Sequence, residues 1–221
     1  MKLETYPDRE MLMIDLAQHL AGELENALFS NDKVSLAVPG GTTPGPVFDA
    51  LCAASLDWAR VQVMLSDERW VPESSERSNT RLIKERLLQN RAADAEFVPF
   101  FRQGVAAEDA MSEVGISLEA ALPLSVLLLG MGADMHIASL FPGAAELDEA
   151  LSTDAPIMAI HPEGQETRVT LTAKVLAAAL STHVLITGDE KREALERAQM
   201  LDAHHAPIKT VLTNATVHWA P

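Results

Sequence analysis

With a single cysteine, Cys52, in 221 residues, the chain cannot build an internal disulfide framework, and its chemistry suits a reducing cytoplasm. Positive charge is the next scarcity: 17 Lys and Arg stand against 32 Asp and Glu, a formal net charge of −15. A field of that sign repels phosphate backbones, so nucleic acid is not an expected partner. It would equally repel a small anionic substrate, which could bind only where a few arginines or lysines are gathered. Long apolar runs are also missing. None approaches the roughly 20 residues of a membrane span, and the opening "MKLETYPDREML" carries no apolar signal core. The expectation is therefore a cytoplasmic protein with no membrane partner.

What is present is enough hydrophobic material, 48% of residues, to bury a sizeable core. Residues 8 to 29 read as a helix capped by Asp8, with Leu12, Leu16, Leu20, Leu24 and Leu28 recurring every four residues. Short apolar runs follow, bounded by turn residues: "VSLAV" (34–38), "VQVML" (61–65), "SVLLLG" (125–130), "PIMAI" (156–160), "RVTLT" (168–172), "HVLIT" (183–187) and "KTVL" (209–212). Most lack polar–apolar alternation, as strands covered on both faces do. Helical stretches near 44–55, 79–89, 108–121 and 189–202 separate them. This alternation predicts an α/β chain: one Rossmann-like domain over 1–221, with a doubly wound, mostly parallel sheet and helices on both faces. Residues 92–109 read only as a strand and a surface loop.

In such sheets ligands sit outside the carboxyl ends of the strands, and four of those ends carry polar residues. "PGGTTPGPVF" offers Gly40, Gly41 and Thr42 as an anion-binding turn, with Thr43 placed to cap a helix and Pro44 to open it. It is not a Walker motif. "SDERWVP" sets Asp67, Glu68 and Arg69 against a strand end beside Trp70, and Ser78 or Asn79 is placed to cap the helix after it. "GMGADMHIASLFPG" delivers Asp134 and His136 into a glycine turn, an arrangement suited to a general base or acid oriented by a carboxylate. The third small residue of a dinucleotide fingerprint would fall at Met135, so that pattern is not met, and no third ligand completes a metal site. "ITGDEKREAL" puts Lys191 in the first turn of a helix capped by Asp189. A cation is disfavoured there by roughly 0.3–1 kcal/mol, unless an anion shares the site. Arg168, opening "RVTLT", is a second candidate for that anion. His204 and His205 read as surface, and Cys52 as core.

Taken together, these stretches resemble the 6-phosphogluconolactonases, within the wider group that includes glucosamine-6-phosphate deaminases. A deaminase would be expected to carry an Asn-Glu pair before Pro142-Gly143, whereas "ASLFPG" has Leu140 and Phe141. The resemblance implies a Rossmann-like fold and no cofactor. It also implies hydrolysis of a sugar-phosphate lactone in the pentose phosphate pathway. By the same resemblance His136 is the base and Asp134 its support. Gly41, Thr42, Asp67, Arg69, Arg168 and Lys191 then surround the phosphate and the sugar hydroxyls. The alternatives are an aminosugar-phosphate isomerase/deaminase and a non-catalytic sugar-phosphate-binding protein. Oligomeric state is left between a monomer and a weak dimer. The family usually has glycine where Met135 stands. Gly130 and Gly132 are available to take up unusual torsions, so Met135 is expected at φ < 0, packed on apolar neighbours and away from the lactone.

Overall fold

The computed structural model describes all 221 residues. In chain order the first half runs β1 (Lys2–Thr5), α1 (Arg9–Leu28), β2 (Val34–Val38), α2 (Gly45–Leu51), β3 (Val61–Leu65), β4 (Asp67–Arg69), α3 (Asn79–Arg86), β5 (Glu96–Phe97) and α4 (Ala107–Leu118). The second half runs β6 (Val126–Gly130), α5 (Leu147–Ser152), β7 (Ile157–Ile160), β8 (Arg168–Leu171), α6 (Ala173–Ala177), β9 (Ser181–Thr187), α7 (Asp189–Ala198), α8 (Lys209–Leu212) and β10 (Thr216–Ala220).

α1 forms where its leucine stripe and its cap place it. Asp8 is extended, and its carboxylate accepts the Met11 N–H at 2.8 Å. Leu12, Leu16, Leu20 and Leu24 are fully buried, each contributing about 2 kcal/mol of apolar burial. β2 and β3 are buried at every residue, which accounts for their unbroken apolar runs.

The main sheet has seven strands in the order β1-β10-β9-β6-β2-β3-β5, all paired in parallel. From β2 the chain builds outward through β3 to β5, and from β6 it builds the other way through β9 to β10. The direction reverses between β2 and β6, and a crevice opens beyond their carboxyl ends. The loops that leave Val38 and Gly130 are the two that flank it. No helix is long and apolar enough to cross a membrane.

Two expectations about elements fail, and one strand was not expected at all. "KTVL" is a helix, α8, and the last strand is "TVHWA" after it; four residues, two of them apolar, carry no period, and contacts with the preceding turn decide them. β1, mostly exposed at the sheet edge, has no apolar signature. "PIMAI" and "RVTLT" do form strands, but β7 and β8 leave the main sheet and join β4 in a small antiparallel sheet, β4-β8-β7. Sequence cannot say which sheet a short buried strand joins. That second sheet sets Arg69 directly across from Arg168 and Asp67 across from Thr170.

Candidate active site

A cleft of about 230 Å³ lies at the reversal point, and only three of its 16 lining residues are hydrophobic. One wall is the loop after β2. Gly40 has no side chain because Asn79 occupies that space; a Cβ there would lie 2.0 Å from Asn79 Oδ1. Gly41 takes a left-handed φ of 86°. The backbone N–H groups of Gly40, Gly41, Thr42 and Thr43 make no hydrogen bond within the protein, which leaves a run of donors for an anion. Thr43 does not cap α2. The cap residue is Pro44, without a side-chain hydrogen bond, because the chain turns one residue later than expected and leaves Thr43 on the cleft wall. Thr42 does not line this cleft; it lines a neighbouring hollow with Arg9 and Glu10.

The opposite wall is the turn after β6. His136 Nδ1 lies 2.6 Å from Asp134 Oδ1, and the same oxygen accepts the His136 backbone N–H at 3.3 Å. The hydrogen bond from His136 holds the Asp134 carboxyl below the usual carboxylate range against the opposing effect of burial. An ionised Asp134 keeps the proton on Nδ1 and leaves the Nε2 lone pair free. Gly132 makes the pairing possible: a Cβ at this residue would stand 2.2 Å from His136 Nδ1 and 2.4 Å from Asp134 Oδ1.

The expected negative φ at Met135 is wrong, while its expected packing away from the cleft is found. Its φ is 69°, and neither Gly130 nor Gly132 has a positive φ. The Met135 N–H donates to Gly132 O at 3.0 Å while its carbonyl accepts the Ile208 N–H at 3.1 Å. Holding both bonds in so tight a turn puts the left-handed residue at 135 rather than at either glycine. The side chain is half-buried against the core and does not line the cleft.

The cations come from β4, β8 and α7. Arg69 and Arg168 face each other across two paired strands, and like charges so placed oppose each other unless an anion lies between them. Each has a buried Nε without a partner. Arg69 Nη1 donates to Arg77 O at 2.7 Å, and Arg168 Nη2 to Gln165 Oε1 at 2.7 Å. Burial lowers the pKa of Arg168, which Asp67 opposes from 3.8 Å. Lys191 sits in the first turn of α7 with no ion pair; burial lowers its pKa, and Glu190 and Asp134 act against that. Asp189 does not cap this helix, because Gly188, with φ of 83°, holds the cap position. Ser78 does cap α3, accepting the Arg81 N–H.

Asp67 is buried and engaged: it accepts Ser139 Oγ at 2.6 Å and Ser66 Oγ at 3.1 Å. Glu68 is wholly buried and serves the scaffold. It accepts the N–H groups of Arg69, Asn79 and Thr80 and the Ser78 hydroxyl, fastening β4 to the start of α3. Burial pushes its carboxyl upward against those donors.

The structure thus gathers Gly41, Asp67, Arg69, His136, Arg168 and Lys191 around one cleft, with Asp134 one hydrogen bond behind. Sequence reasoning missed Asn79, whose side chain donates to Asp67 O at 2.9 Å, and Ser139. Both read as ordinary loop or cap residues. One set of carboxylate and imidazole atoms could share a metal ion: Glu4, Asp15 and His19, with all ligand atoms within 4.8 Å. It lies at β1 and α1, shares no residue with the cleft, and is engaged by Tyr6 and Lys2.

A family model described as glucosamine-6-phosphate isomerases/6-phosphogluconolactonase matches residues 7–219. A 6-phosphogluconolactonase of Mesorhizobium japonicum is 40% identical over 224 residues, covering 98% of this chain and 94% of its own. One from Pseudomonas aeruginosa is 38% identical over 214 residues, covering 93% and 89%. The crystal structure of a 6-phosphogluconolactonase from Shewanella baltica superposes with a TM-score of 0.96 at 34% identity, covering 100% of this chain and 97% of its own.

Proposed function

The chain belongs to the glucosamine-6-phosphate isomerase/6-phosphogluconolactonase family, and from that premise we propose that it hydrolyses 6-phospho-D-glucono-1,5-lactone to 6-phosphogluconate, a step of the pentose phosphate pathway. His136 Nε2 takes a proton from water as the water oxygen bonds to the lactone carbonyl carbon. The tetrahedral intermediate then collapses, the bond from that carbon to the ring oxygen breaks, and the imidazolium returns its proton to the departing oxygen. Asp134 holds Nδ1–H throughout and stabilises the imidazolium, as the 2.6 Å contact supports. The reaction so written needs no cofactor from the protein.

The observation that carries this reading is the pairing of that dyad with Arg69, Arg168 and Lys191 in one cleft of a chain with net charge −15. The three cations, with the free amides near Gly41 and Thr42, are the groups we assign to the phosphate and the sugar hydroxyls. Asp67, 3.8 Å from Arg168, supports that arginine. We place this activity in the cytoplasm, in one domain spanning 1–221.

The test is turnover of 6-phosphogluconolactone, corrected for spontaneous opening, with glucosamine 6-phosphate assayed in parallel. His136→Ala is expected to remove about 10²–10⁴-fold of the corrected rate while product binding persists. A variant within a few-fold of the parent would rule out the base assignment. Release of ammonia from glucosamine 6-phosphate without lactone hydrolysis would assign the chain to the other branch.

A further inference from the structure

Behind the cleft one aromatic ring touches both halves of its chemistry. The Phe141 centroid is 4.6 Å from that of His136, at an interplanar angle of 45°. The Arg168 guanidinium carbon lies 5.3 Å from the same centroid. Phe141 is half-buried and does not line the cleft. It therefore meets the base and the arginine without facing the space a substrate would fill.

The ring is held by its backbone. Ser139 donates its N–H to Thr170 Oγ1 at 3.2 Å and its hydroxyl to Asp67 at 2.6 Å, tying the turn to β8 and β4. Leu140, fully buried, donates its N–H to Ile137 O, and Phe141 O accepts from Ala144. A turn fastened on both sides of residue 141 keeps the ring in register with its two neighbours.

We propose that Phe141 is a positioning residue that couples the base to the phosphate-binding arginine, and that it acts on the two by different routes. This rests on the lactonase reading above. Arg168 is a cation whether or not substrate is bound, so its contact with the ring steadies the guanidinium in the ground state and shows in KM. His136 becomes a cation only as it takes the proton from water. The attraction between ring face and imidazolium therefore grows towards the transition state and shows in kcat. A leucine of similar reach would fill the space and supply neither effect.

The experiment compares Phe141→Leu, Phe141→Met and Phe141→Tyr with the parent, measuring kcat, KM, affinity for 6-phosphogluconate by calorimetry, and melting temperature. We expect Phe141→Leu and Phe141→Met to lose about 3- to 10-fold in kcat and to raise KM several-fold, with weaker product binding. Phe141→Tyr, which keeps the ring, should stay within about twofold on every measure. Retention of kcat and KM in a folded leucine or methionine variant would overturn the proposal. So would a tyrosine variant that falls as far as leucine, since shape alone would then account for the residue. If the parent itself leaves the lactone at its spontaneous rate, the functional reading fails. Calorimetry on the same variants would still decide whether the ring steadies Arg168.

Discussion

Gly132 and Gly130 stand two residues apart in the same turn, and the geometry gives them opposite tolerances. A methyl group on Gly130 would meet nothing within 4 Å, whereas one on Gly132 would lie 2.2 Å from His136 Nδ1 and 2.4 Å from both Asp134 Oδ1 and His136 Cε1. Ordinary contact begins at 3.4 Å, so in Gly132→Ala the imidazole must retreat by at least 3.4 − 2.2 = 1.2 Å, and the carboxylate with it. A displacement on the order of 1 Å at a reacting group costs about 10²-fold in rate. Outright loss of a general base costs roughly 10²–10⁴-fold. We therefore expect Gly132→Ala to lower kcat at least 100-fold. The fold should hold, because the collision involves movable side chains and alanine restricts the unfolded chain by about 0.4–1 kcal/mol. Gly130→Ala should fold equally well and lose far less activity. The assay is initial-rate lactone hydrolysis corrected for spontaneous opening, beside thermal melts of both variants. A folded Gly132→Ala protein with kcat within tenfold of the parent would refute the claim that this glycine makes room for the dyad.

The pieces of the fold that could be read were those whose burial is regular. The leucine stripe of α1 and the unbroken runs of β2, β3 and β6 each report a whole face or both faces covered. β10 was lost because its polar members are inside: His218 is 1% exposed and hydrogen-bonded to Tyr6 and His183, so a buried strand carries a surface-like sequence. The second sheet was lost for another reason. β7 and β8 look like any short buried strands, and the antiparallel pairing of β8 with β4, which brings β7 with it, depends on contacts between residues about 100 apart in the chain.

The candidate site was legible because polar residues against apolar strand ends are conspicuous, and the topology sends those ends to one crevice. The division of labour among them was not. Asp67, Glu68 and Arg69 form one charged cluster in sequence. Strand geometry turns Glu68 into the scaffold and leaves Asp67 and Arg69 at the cleft, Asp67 tied there to Ser139. Adjacent residues on a strand point to opposite faces, so one charged run divides between scaffold and cleft in a way composition cannot show. Thr42 faces only the neighbouring hollow, whereas Thr43 borders both that hollow and the cleft.

Lys191→Ala should raise KM for the phosphorylated lactone about tenfold and scarcely affect the unphosphorylated one, since a charge-assisted bond to an anion contributes roughly 1.5–3 kcal/mol; equal losses on both substrates would make Lys191 structural. Burial, and next the neighbouring His183, push His218 down to about 4. The unfolded chain, near 6.5, therefore takes up that proton first as pH falls, and up to about 3 kcal/mol of stability should be lost between about pH 6.5 and 4. Urea unfolding of His218→Gln should show a flatter dependence across that window, and an unchanged slope would exclude His218 as its source. Met135 is the sharpest case, because its left-handed φ of 69° reverses a familiar ranking. At ordinary torsions alanine is more stable than glycine by roughly 0.5–1 kcal/mol. Here any residue with a Cβ carries about 1–2 kcal/mol of strain that glycine does not. Met135→Ala loses the packing of a half-buried side chain and keeps the strain, so it should be destabilised by about 1 kcal/mol or more. Met135→Gly loses the same packing and sheds the strain, so it should lie within about 1 kcal/mol of the parent. Chemical denaturation of the two variants decides the matter. If alanine proves the more stable, the turn does not hold residue 135 in the left-handed region in solution.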